Sequence, residues 1–283
     1  MTKKTVCSMA LVAALILCVQ SALAQTYAGP PKPAIQDYGP FTNSTFKGSH
    51  NTTRHAPNGE CGNPAGHCLF YGGDFVSYPL GPSTLPNGLA NETTTLISGS
   101  PYGAAVWVPF TVPANQTWEV TGLFTNNFSS YGVLDQYPTA PTSAALWSIN
   151  EGVGAGDPGT IIASGTAAAT ITATGRSDFS FDEYTVQVTG LSFVLTGGEY
   201  WLSVVPLCTN VDDPFCGGVF FLTDAEYLNT TPANAVGPAE PLDSSFFDSP
   251  FFGLTFDPSN GSVGACAGFG CDAFSAGVLG SHI

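Results

Sequence analysis

Basic residues are scarce. The 283 residues hold six Lys plus Arg against 21 Asp plus Glu, a formal net charge of −15 at pH 7. Two of the six, Lys3 and Lys4, lie at the N-terminus, so the remainder is more acidic still. A surface of that sign repels phosphate, which argues against nucleic acid and anionic bilayers as partners. Charged residues of either sign make up only 10% of the chain. The surface must therefore be built largely from Ser, Thr, Asn and Gly, a composition that suits a secreted β protein better than a helical one. Apolar runs of the roughly 20 residues that a bilayer demands are missing as well, so no membrane span is expected. Also absent are Cys-x-x-Cys, Gly-x-Ser-x-Gly and His-Glu-x-x-His, which removes the local signatures of a zinc knuckle, a nucleophile elbow and a zinc-protease helix.

What is present begins with an address. Lys3 and Lys4 precede the short apolar run "MALVAALILCV", and Ala22-Leu23-Ala24 precede Gln25. A basic start, a short apolar centre and a small-x-small end mark a cleaved secretory signal over residues 1–24. The chain is expected outside the cytoplasm, extracellular or periplasmic. Cys18 follows "LIL" rather than a small residue, which disfavours lipid attachment there. Six cysteines remain beyond the signal, and in an oxidising compartment disulfides are their default fate. They come as near neighbours, and short loops close at least entropic cost. The expected bridges are Cys61 with Cys68, Cys208 with Cys216, and Cys266 with Cys271, and His67 then reads as a loop residue.

Residues 25–67 are rich in Pro, Gly, Asn and Thr and form a loosely ordered lead-in by composition. Beyond them, short alternating runs are separated by Gly, Pro, Asn or Asp. "AVWVPFTV" sets Val106, Val108, Phe110 and Val112 on one face and Trp107, Pro109 and Thr111 on the other. "TWEVTGLF", "SAALWSI", "TIIASG", "YTVQV", "EYWLSVVP" and "GVFFL" continue the pattern. Such spacing predicts an all-β fold, an antiparallel, jelly-roll-like β-sandwich over 68–258 with little helix. Only Thr223–Val236 offers a turn or two of helix. Phe246, Phe247, Phe251 and Phe252 are too apolar to leave in water and read as a closing strand or plug. Residues 259–283 read as a glycine-rich, disulfide-containing tail.

Several stretches invite a chemical reading. "GAGDPG", Gly154–Gly159, spells a dinucleotide-type glycine motif, but the mechanism needs a helix after it, and Pro158 and a β run follow instead. It reads as a turn. His50, His55, His67 and His282 lie in the lead-in, a stapled loop or the terminus. Carboxylates are the one group abundant enough for acid–base work, and Asp212 with Asp213, Asp182 with Glu183, and Glu151 with Asp157 are adjacent in expected loops. Glycoside hydrolysis would need two held about 5 to 9.5 Å apart. Calcium takes loop oxygens of Asp, Asn and Glu, which makes Asp74, Asn87, Asn91 and Glu92 the candidate ligands, against the plainer reading as turn-formers and caps. No other cofactor is expected. Trp107 and Trp201 are the candidate ligand-binding aromatics, against the plainer reading that both are core.

The stretches "LFYGGDF", "NGLANE", "PFTVPANQTWEVTGLFTNN", "PTSAALWSI", "GTIIASGTAAATITATGR", "EYTVQVTGL" and "GGEYWLSVVP" span Leu69 to Pro206. Together they resemble uncharacterised secreted bacterial β-sandwich proteins akin to the choice-of-anchor domains of PEP-CTERM-sorted exoproteins. The resemblance implies a surface or extracellular module with no known catalytic role. The chain departs from the pattern at Val76, where the group often has a second acid after "GDF", and at Asn150, where it often has Arg. No sorting motif closes the chain, so release or non-covalent attachment is the expectation rather than anchoring. The function expected is a secreted, non-catalytic module that binds polysaccharide or cell-envelope material. A polysaccharide hydrolase working through loop carboxylates and a self-associating matrix protein are the alternatives.

Overall fold

In the computed structural model, the residues described are 61, 67–75, 88–94, 102–129, 144–178, 181–208, 220–223, 234–238, 244–249, 253–259 and 273–283. All lie in one unit, Phe41–Ile283. Every element among the described residues is a strand: β1 Cys68–Tyr71, β2 Gly88–Ala90, β3 Glu92–Thr94, β4 Tyr102–Ser129, β5 Ala144–Glu151, β6 Thr160–Asp178, β7 Phe181–Cys208, β8 Phe220–Thr223, β9 Phe246–Ser249, β10 Leu254–Pro258 and β11 Ala276–His282. They hydrogen-bond into a single sheet whose path runs β1-β11-β4-β3-β7-β5-β6, antiparallel except where β3 meets β7. The all-β expectation therefore holds.

Two 28-residue strands, β4 and β7, form the spine. They pair from Val108↔Leu202 to Ser129↔Asp182, with register shifts between Val112 and Thr117 and between Val120 and Gly122. The first shift falls on "PANQ", where a proline lacks the N–H a ladder needs and polar residues tolerate exposure. Phe110 and Trp118 flank it. On a straight strand they would stand about 26 Å apart, yet their rings stack with centroids 6.1 Å apart. The ribbon thus doubles back, and its two halves face one another across a shared core. Val106, Val108, Phe110 and Val112 from one half meet Trp118, Val120 and Leu123 from the other. The change from even to odd numbers after Val120 is the second shift, which moves alternate side chains to the opposite face. From β7, Val186, Val188, Leu195, Tyr200, Leu202 and Val204 join them, and Ala145 and Ile149 come from β5.

The chain end differs from expectation. Residues 276–282 are a strand of the sheet, not a tail, because β11 lies between β1 and β4, pairing Leu279 with Cys68 and Val278 with Leu123. Its glycines are packing residues. A Cβ on Gly277 would come 2.4 Å from the Phe124 ring, and one on Gly280 would come 1.9 Å from the Glu119 carbonyl oxygen. Phe246–Ser249 form the expected closing strand, paired with Ala105–Trp107 of β4; Phe251 and Phe252 lie outside the described residues. So does most of the helical candidate Thr223–Val236, of which Val236 makes an antiparallel bridge to Tyr71. The Cys61–Cys68 disulfide is formed. Cys208 is the last residue of β7, and Cys216, Cys266 and Cys271 lie outside the described residues.

Candidate functional site

Outside the core, alternation places a second set of side chains on the far face of the sheet, in two patches. The first is polar. On β4 and β7, Asn126 and Thr185 sit opposite one another, and Thr185 Oγ1 donates to Asn126 Oδ1 at 2.7 Å. Glu183 lies two residues earlier on β7, fully buried. Across the β6–β7 turn, Arg176 donates to it, with Nε and Nη2 each 2.5 Å from Oε2, and Thr174 Oγ1 adds a bond at 2.8 Å. The segment after β1 lies over this row. Asp74 pairs with Arg176 Nη1, Tyr71 donates its hydroxyl to Asp74 Oδ1 at 2.7 Å, and Asn234 Nδ2 donates to Oδ2 at 2.5 Å. Phe75 offers its ring face to the guanidinium at 5.4 Å.

The arrangement is a clamp. Two carboxylates share one cation with little water near, since Arg176 and Asp74 side chains are 12% and 11% exposed. Nη1 and Nη2 reach ion-pair distance without hydrogen-bond alignment, so Nε carries the directional bond. Burial lowers the tendency of Arg176 to stay protonated, but Glu183, Tyr71 and Asp74 together outweigh it and hold the guanidinium charged well above its ordinary range. Burial pushes the Tyr71 phenol far above the usual tyrosine value, with Asp74 and Glu183 adding to the shift and Arg176 opposing it. Tyr71 is accordingly a permanent donor.

Of the calcium candidates, Asp74 and Asn91 are not brought together. Both Asp74 oxygens serve the clamp on the outer face. Asn91 is fully buried on the inner side, where Nδ2 donates to Asn127 Oδ1 and the Val204 carbonyl, each at 2.9 Å. The clamp reaches Asn126 and the inner cluster reaches Asn127, adjacent residues that point to opposite faces of β4. Asn87 and the Glu92 side chain lie outside the described residues, and no group of three or more His, Cys, Asp or Glu with metal-holding geometry occurs among the described ones.

The second patch is aromatic. Trp201 is 5% exposed and packs with Val153, Phe246 and Phe256, while Trp107 is half-buried against the same cluster. Trp201 Nε1 donates to the Ser244 carbonyl at 2.7 Å, and the Trp107 and Phe256 rings lie 5.3 Å apart. The strands β9 and β10 cover this face. "GAGDPG" borders it as a turn: Gly154 and Asp157 exchange backbone bonds at 3.0 and 2.9 Å, Gly156 and Gly159 have φ of 75° and 67°, and β6 follows directly. Asn150 Nδ2 closes the turn on the Pro158 carbonyl at 2.8 Å. The adjacent acids Glu151 and Asp157 are exposed on it, whereas Glu183 belongs to the clamp; Asp212 and Asp213 lie outside the described residues.

The clamp could not have been read from spacing alone, since Asp74 and Arg176 are a hundred residues apart. The signal available was Arg176, the one basic residue of β6 and its first charge after the neutral run Thr160–Gly175. Neither a scan against protein-family models nor a search of the curated proteins finds a match for this chain.

Proposed function

We propose that this protein is an exported, non-catalytic β-sandwich module that binds carbohydrate or cell-envelope material. The observation carrying the reading is the division of labour between the two patches. The buried ions of the clamp spend their charge on one another, with no carboxylate there free for acid–base work. The other patch gathers two tryptophans beside neutral polar side chains under the β9–β10 cover, a combination that suits a sugar ring, with its apolar face and rim of hydroxyls, once the cover gives way. The N-terminal address and the acidic, weakly charged composition agree with work outside the cytoplasm.

The test is retention of the purified chain on insoluble polysaccharides and cell-wall material, with the supernatant assayed for reducing ends. Retention without release is the expected result. Release would favour a hydrolase, and absence of both would remove the carbohydrate reading.

A second reading, self-association into a matrix, draws support from β6. Over Thr160–Ala168 it pairs with β5 alone among the described residues, and no charged residue occurs from Thr160 to Gly175. Uncharged single-sided strands are templates for another chain.

A further inference from the structure

Beneath the β9–β10 cover, the aromatic patch holds more hydrogen-bonding capacity than it uses. Register puts its members side by side. Pro109 of β4 faces Trp201 of β7, which faces Asn150 of β5; Ser203 of β7 faces Ser148 of β5. Directly opposed residues share a face, as do residues two apart. Trp107, Trp201, Ser203 and Asn150 therefore occupy one surface in adjoining positions. Three of their polar atoms are buried without a hydrogen-bond partner: Trp107 Nε1, Ser203 Oγ and Asn150 Oδ1. Asn150 is 1% exposed and Ser203 3% exposed. Buried polar atoms are nearly always satisfied in folded proteins, so three orphans on one small face require an explanation.

Their chemistry restricts what would satisfy them. The indole N–H donates only, the amide oxygen accepts only, and the serine hydroxyl does either. A ligand serving all three must both accept and donate, as hydroxyl groups do and an ammonium does not. Charge narrows the class again. The described residues of β4, β5, β7, β9 and β10 that frame the patch, and the turn 151–159, contain no Lys or Arg. The charges there are all acidic, Asp248, Asp257, Glu151 and Asp157 with Glu199 two residues before Trp201 on β7, so phosphate, sulfate or a uronic acid would be repelled. The cover also shows a mark of tension: Phe256, which packs on Trp107, has φ of 46°, a left-handed backbone that bulky residues rarely adopt.

We propose that this face is a binding site for a neutral glycan residue. Trp107 forms the stacking wall, and Trp107 Nε1, Ser203 Oγ and Asn150 Oδ1 anchor hydroxyls as Phe256 yields its place. The site deepens the carbohydrate reading and rests on it, naming the subsite and excluding charged sugars.

The test is titration of the full chain with cellohexaose, maltohexaose, xylohexaose and chitohexaose, followed by tryptophan fluorescence, with Ser203→Ala and Trp107→Phe in parallel. Ser203→Ala deletes one anchor and keeps the packing, and Trp107→Phe deletes the indole N–H while leaving an aromatic ring in place. Expected is a response to at least one hexaose that weakens about tenfold in each variant, the scale of one hydrogen bond lost at a site where its partner stays buried. Because Ser203 Oγ is unpaired in the free protein, Ser203→Ala should leave the melting temperature undiminished. A lower melting temperature would mean that ordered water already satisfies the group, and would overturn the proposal. Equal binding by both variants, or retention on insoluble polysaccharide with no hexaose response, overturns this site while the binding-module reading stands. Failure of hexaoses and polysaccharides alike overturns both.

Discussion

Arg176 and Glu183 meet across the β6–β7 turn through a single oxygen, Oε2, which lies 2.5 Å from both Nε and Nη2. Neither partner has water to fall back on, for Glu183 is fully buried and the arginine side chain is 12% exposed. Removing the cation would strand two carboxylates, Glu183 and Asp74, in a region built to hold a cation between them. Arg176→Met should therefore cost about 3–5 kcal/mol, the range for breaking one side of a buried ion pair. Urea unfolding at pH 7 measures it. The loss should shrink as pH is lowered into the carboxylate range, because protonation removes the stranded charge. A loss under about 1 kcal/mol would place the pair among solvent-screened surface bridges instead.

Tyr71 carries the same cluster to alkaline pH. Burial raises its phenol far above the ordinary tyrosine value of 10.0, so unfolding releases a proton wherever the unfolded tyrosine ionises and the folded one does not. The group's stabilising contribution is complete below pH 10 and fades as pH rises above it. Stability should consequently fall between pH 10 and 11.5, and the fall should be shallower in Tyr71→Phe. That variant also deletes the hydroxyl that donates to Asp74 Oδ1, so it starts from a lower stability at pH 7. Parallel slopes for the two proteins would show that other tyrosines dominate the alkaline limb.

How much of this was legible beforehand depends on the range of the interaction. Alternation in "AVWVPFTV" assigns Val106 to Val112 inward and Trp107 outward without any structure, because the pleat has period two. The glycines of "AGVLGSH" mislead for a physical reason: glycine looks like a flexible tail when read locally, yet Gly277 and Gly280 are small because Phe124 and the Glu119 backbone lie against them. Asp74 looked like a calcium ligand for a similar reason, as its ion-pair partner lies about a hundred residues away. Tryptophans 107 and 201 were legible as a pair; Ser203 and Asn150, which complete their face, carry no local signal and follow only from the register of β5 against β7.

Asp248 lies on β9, opposite Ala105, half-buried. Burial raises its pKa, a backbone N–H from Phe256 acts against that, and Asp257 adds repulsion. A carboxyl with a raised folded pKa favours the folded state in its protonated form, so the contribution is present at acid pH and lost as pH rises through the folded value. Asp248→Asn should thus raise the melting temperature at pH 7 and leave it nearly unchanged at pH 3. Equal shifts at both pH values would point to packing rather than charge.

The outer part of β6 sets the last expectation. Ile161 is 60% exposed and Ile162 40%, on a stretch that pairs with β5 alone among the described residues. Natural edge strands commonly carry a lysine or an inward charge that penalises pairing with another chain, and Thr160–Ala168 has neither. A register shift at Asn150↔Ile161 disturbs only the start of the pairing, leaving Ala163–Ala168 in uninterrupted register with β5. Sedimentation velocity should therefore show association that grows with protein concentration. Ile161→Lys should suppress it at little cost in stability, because an exposed position away from the core changes stability by no more than about 0.5 kcal/mol. Association that persists in Ile161→Lys would move the contact to another surface, and a chain monomeric at high concentration would show that something in the folded protein already protects this edge.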